Sequence, residues 1–138
     1  MNLQFLNIDS KVAMPKATIH ITGKLGFNME AAKLMGFGED THYKVAVDNA
    51  NGHVDKLYLV AAKLREENTV RVAKAGQYYY INLANVFREL GMDYEKFTIS
   101  FAISKGQYED KVMFILARRT KKEKLRDSSD KEAETDDV

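Results

Sequence analysis

Two stretches of this sequence carry the same punctuation about 55 residues apart, and no other feature restricts the fold as much. Asn28 and Asn82, each preceding a short run with helical spacing, lie 54 residues apart, and Gly36 and Gly91, which close those runs, lie 55 apart. The apolar segments 57–60 and 112–115 are again offset by 55. In the first stretch, residues 17–22 are rich in β-branched side chains (Thr18, Ile19, Ile21, Thr22), Gly23-Lys24 reads as a turn, and 25–27 as a second extended piece. Asn28 is placed to cap a helix with Met29, Ala32 and Met35 on one face, and Gly36 to end it in the left-handed conformation. Strands are expected over 42–48 and 57–60, joined through Asn51-Gly52, since both residues tolerate positive φ. The second stretch repeats the order. Strands are expected over 69–72 and 77–81, a turn at Ala75-Gly76, and a helix capped by Asn82 with Leu83, Val86, Phe87 and Leu90 on its inner face. A strand carrying Phe97, Ile99 and Phe101, a loop over 104–110 containing Gly106, and a last strand over 111–117 complete it.

A unit of about 50 residues rarely covers its own apolar surface, so tandem units are expected to share one core. With 138 residues, 45% apolar and 30% charged, the chain fits one globular domain. The expectation is a strand-rich α+β domain, residues 17–118, built as a pseudo-twofold pair of β-β-α-β-β units (17–63 and 69–118). Residues 1–16 form a leader and 119–138 a charged tail.

Chemistry is restricted mainly by what is missing. The chain has no cysteine, which excludes disulfides, iron–sulfur clusters, thiolate zinc sites and a cysteine nucleophile. His20, His42 and His53 show no metal-ligand spacing, no G-x-S-x-G elbow or phosphate loop occurs, and Gly36-Phe37-Gly38 ends a helix where a dinucleotide site would begin one. An enzyme, a metal centre or a cofactor is not expected. No membrane span is visible, and a basic segment followed by an apolar one does not open the chain, so a cytoplasmic protein is expected.

Charge is unevenly distributed. Residues 1–117 contain 14 Lys or Arg against 13 Asp or Glu, whereas 118–126 hold six basic residues and one acidic, and 127–138 six acidic and one basic. Low hydrophobicity and dense charge predict a disordered tail. Its basic half can grip phosphates, and its acidic end can compete for the same cluster by folding back. Within the folded region, Tyr78 and Tyr80 fall on one face of a strand and Tyr79 on the other. An aromatic strand is most often core, but an exposed pair beside cations would stack bases.

The segment Ile21-Thr22-Gly23-Lys24-Leu25-Gly26-Phe27-Asn28, followed by a short helix ending in Met35-Gly36-Phe37 and two strands, resembles the swapped-hairpin DNA-binding family typified by AbrB and MazE. Lys24 stands where that family usually has arginine, and Asn28 where it has proline. The segment from Ala75-Gly76-Gln77 through Leu90-Gly91-Met92 resembles a more divergent copy. The resemblance implies DNA as a partner, allows a homodimer, and carries a binding role onto Lys24. A second parsing takes strands 42–48, 57–62, 69–72 and 77–81 with the following helix as one β-β-β-β-α unit, which is similar to the Whirly-type single-strand binders. The expected function is therefore nucleic-acid binding, in the manner of a small transcriptional regulator. Its expected contacts are His20, Lys24, Tyr78, Tyr80, Arg118, Arg119, Lys121, Lys122, Lys124 and Arg126. The alternative is a protein-interaction or scaffold module without a nucleic-acid ligand.

Overall fold

The computed structural model describes residues 1–6, 14–48, 55–63 and 66–119. Nine strands and two helices follow one another as β1 (Lys16–Ile19), β2 (Lys24–Phe27), α1 (Met29–Met35), β3 (His42–Val47), β4 (Lys56–Ala62), β5 (Val70–Arg71), β6 (Ala73–Ala75), β7 (Tyr78–Asn82), α2 (Ala84–Glu89), β8 (Ser100–Tyr108) and β9 (Lys111–Arg118). All strands join one antiparallel sheet in the order β5-β3-β4-β9-β8-β1-β2-β7-β6.

The two ends of that order are consecutive in the chain. β5 pairs with β3 and β6 with β7, while buried Val72 between them donates its N–H to the Thr41 carbonyl at 3.0 Å. One extended segment thus touches both margins, and the sheet curls into a nearly closed barrel. Closure removes the long unpaired edges that would otherwise invite association through backbone hydrogen bonds.

This architecture corrects the expected α+β class with two tandem units. Hairpins β1–β2, β3–β4, β6–β7 and β8–β9 form locally, but β1 pairs with β8, β2 with β7, β3 with β5 and β4 with β9. Each half therefore satisfies its backbone on strands of the other, and neither is a self-contained layered unit. The helices, of seven and six residues, are too short to form a layer of their own.

Alternation supplies the core. Ala17 and Ile19, Leu25 and Phe27, Leu57 and Leu59, Phe101 and Ile103, and Phe114 and Leu116 are buried at every second position of their strands. Full burial of such a side chain contributes roughly 1.5–3 kcal/mol. Helix α1 lies against β1, β2 and β8 and buries Ala31 and Met35, an i, i+4 pair, rather than the expected Met29 face; Met29 is 72% exposed in the first turn. Asn28 caps it as expected, accepting the Ala31 N–H at 2.8 Å, and Gly36 closes it with φ +62°. In α2 the cap position is Leu83, which has no capping side chain, and Asn82 ends β7 while accepting the Ala84 N–H at 3.3 Å.

The expected loop over 104–110 is also corrected. β8 continues to Tyr108, and only Glu109 and Asp110 form the turn into β9. Gly106 sits mid-strand because side chains of the neighbouring strand occupy its face: a Cβ there would lie 3.1 Å from Ile115 Cδ1. The expected Asn51-Gly52 turn and the tail beyond residue 119 lie outside the described residues. Among the described residues, no helix is long and apolar enough to cross a membrane.

Candidate nucleic-acid interface

The β1–β2 hairpin turns through Ile21, Thr22 and Gly23. His20 donates its N–H to the Lys24 carbonyl and Gly23 its own to the His20 carbonyl, both at 2.8 Å. Gly23 at φ +89° supplies the positive-φ residue that a three-residue hairpin loop needs. His20 and Lys24 consequently face each other across the end of the hairpin. Gly23 also accepts α2 against itself, since its carbonyl takes the Leu83 N–H at 3.3 Å.

β7 then lies along β2 with Gly26 opposite Tyr80 and Lys24 opposite Asn82. Gly26 has no side chain to fill its place in the row, and the diagonal neighbours Lys24 and Tyr80 meet beside it. The Lys24 ammonium stands 4.7 Å from the centre of the Tyr80 ring, within cation–π range. Tyr78, two residues along on the same face, is 46% exposed. His20, Lys24, Tyr78 and Tyr80 line one shallow cleft of 160 Å³. Tyr79 takes the opposite face, its ring 5.0 Å from Phe37, with the Lys74 ammonium 5.5 Å from its centre.

The other expected residues are not gathered there. Arg118 ends β9 and Arg119 follows it, beside Asp55 and Lys56 in a separate cleft of 450 Å³; Arg118 donates its N–H to the Asp55 carbonyl at 2.7 Å and Arg119 its own to the Ser100 carbonyl at 3.1 Å. Register carries the row from Ser100 through Thr18 and Gly26 to Tyr80. Arg119 therefore lies roughly 19 Å from Tyr80 along the sheet, at about 4.8 Å per strand. Lys121, Lys122, Lys124 and Arg126 lie outside the described residues.

Sorting charge by element reveals residues that the chain-length balance conceals. The strands carry Lys16, Lys24, Lys44, Lys56, Arg71, Lys74, Lys105, Lys111 and Arg118, and not one Asp or Glu. Every carboxylate of the described region sits in a helix or a connection. Among the described residues the side-chain ion pairs are Lys33 with Glu30 at 3.6 Å and Lys44 with Glu66 at 3.1 Å, so Lys16, Lys24 and Lys56 are not neutralised in this way. The signal was present in the sequence, but only for charges assigned to strands rather than summed over 117 residues.

Two groups titrate away from their ordinary values. Burial pushes the Tyr43 hydroxyl up to about 12, and the Lys63 backbone N–H, followed by the Lys44 ammonium, holds Glu66 below the usual carboxylate range. Neither lines the tyrosine cleft. Among the described residues no group of three His, Asp or Glu side chains is disposed to hold a metal ion. Comparison with protein-family models, curated proteins and solved structures finds no match.

Proposed function

We propose that this protein binds nucleic acid through the outer face of β1, β2 and β7. The observation that carries the reading is Lys24 over the Tyr80 ring beside exposed Tyr78, in a sheet whose strands bear cations and no carboxylates. Tyrosine faces accept any base, each stacked base contributing about 1–3 kcal/mol, and the lysines attract the backbone with release of counterions. The basic residues of the 118–126 segment would add phosphate contacts of their own. A regulatory role and a homodimer belong to the same proposal, in line with the AbrB/MazE resemblance, as does a cytoplasmic location, in line with the lack of a helix able to cross a membrane among the described residues.

Labelled single- and double-stranded oligonucleotides at two salt concentrations test it. Binding should weaken steeply as salt rises, and deletion of residues 120–138 should weaken it further. Absence of binding to either form at low salt refutes the reading. The alternative, a protein-interaction module, is favoured by half-buried Tyr58, Val60, Met113 and Ile115, which adjoin on the outer face of β4 and β9. In that case a protein partner, rather than an oligonucleotide, would protect those four side chains.

A further inference from the structure

We infer that the larger cleft beside this face holds an unpaired base of a single-stranded nucleic acid, an inference that rests on the nucleic-acid reading and adds the strandedness to it. The cleft, 580 Å³, opens between α1 and the β6–β7 hairpin. Phe27, Phe37 and Tyr79 form its aromatic base, with ring centres 5.1 Å and 5.0 Å apart in succession. Tyr78 and Gln77 stand on one side, Ala32 and Lys33 on the other. Its volume falls within the range of about 300–1,000 Å³ typical of small-molecule sites.

Three features select the occupant. Tyr78 and Tyr79 line both this cleft and the one holding Lys24 and Tyr80, so the two clefts meet at β7, and a chain on the outer face reaches the larger one by crossing that strand at the β6–β7 hairpin. No residue lining either cleft is acidic; Lys24 and the nearby Lys74 are cationic, and Lys33 is paired with Glu30 at 3.6 Å. Aromatic rings beside the cations Lys24 and Lys74 match a ligand that is itself aromatic and anionic at regular intervals, which describes a nucleotide chain. A duplex keeps its bases stacked and paired; only an unpaired base can turn sideways into a cleft with an aromatic base. The Gln77 amide at the rim offers both a donor and an acceptor to a base edge.

The test compares a labelled oligothymidylate, the same strand with abasic sites, and a duplex, against the full chain and Ala32→Phe, which fills the cleft from half-exposed α1. Met29→Trp fills it from an exposed position should the first variant fail to fold. The wild type is expected to prefer the single strand to the duplex at least tenfold, and to lose roughly 5- to 150-fold for each stacked base removed. The filled variant should bind normal and abasic strands equally, with an unchanged salt dependence. Equal affinity for duplex and single strand, or no abasic penalty, overturns the inference and leaves the nucleic-acid reading standing. Failure of every oligonucleotide to bind overturns both.

Discussion

Gly23→Ala probes the contact that joins the candidate site to the core. Gly23 has φ +89°, where an L side chain is strained by about 1–2 kcal/mol. A Cβ built there would lie 2.4 Å from Ala84 Cβ, 2.7 Å from Ala84 Cα and 3.1 Å from the Tyr94 hydroxyl. Ordinary carbon contacts are about 3.5–4.0 Å, so α2 must retreat by roughly 1 Å or more. That movement pulls on buried Leu83 and Phe87, and overpacking of this kind costs about 1–3 kcal/mol. The sum, about 2–5 kcal/mol, is a large share of the roughly 5–15 kcal/mol that holds a domain together. Gly36→Ala and Gly91→Ala are the controls: both glycines have positive φ, and neither would bring a Cβ within 4 Å of another residue. They should lose the backbone term only. Ala84→Gly in the Gly23→Ala background removes the 2.4 Å contact but not the one to the backbone, so it should restore stability in part. Urea denaturation at equilibrium measures all four variants, and hydrogen exchange at the Leu83 amide reports whether α2 has lifted. A Gly23→Ala loss no larger than that of Gly36→Ala would refute the close-packing argument.

Lys24→Gln should leave the fold intact while weakening oligonucleotide binding several-fold and lowering the salt slope by about one, as read from anisotropy titrations. Thr18, 3% exposed, and Tyr94 have buried hydroxyls with no hydrogen-bond partner among the described residues, so Thr18→Val and Tyr94→Phe should be neutral or stabilising, by up to about 1–2 kcal/mol in urea titrations. Tyr43, raised to about 12 in the fold against 10.0 as its ordinary value, stays protonated while its unfolded counterpart ionises. Its contribution is thus fully present below pH 10 and is lost as pH climbs toward 12; Tyr43→Phe should flatten that part of the stability-versus-pH curve.

The element order was readable because its signals are local. Asn28 and Gly36 bound α1 through hydrogen bonds and a backbone angle set within a few residues, and the alternation in 17–19 or 25–27 is a property of the strand itself. Where a decision depended on a distant neighbour, local reasoning failed. Gly106 looks like a loop residue until Ile115 is placed over it, and Met29 looks buried until α1 is docked by Ala31 and Met35. The same division runs through the site. Alternation separates Tyr78 and Tyr80 from Tyr79, but only the pairing of β7 with β2 brings Tyr80 under Lys24 and Tyr79 against Phe37.

The amino-acid sequence alone thus determined the β1–β2 and β3–β4 hairpins, the two short helices and the side of the strand on which each tyrosine falls. Tertiary structure alone decided that the hairpins of the two halves interleave in one sheet, and that Val72 lets a single segment close it. Backbone hydrogen bonding is nearly blind to side-chain identity, so many strand partners are locally acceptable. The choice among them falls to the arrangement that buries every apolar row and leaves no long edge unpaired.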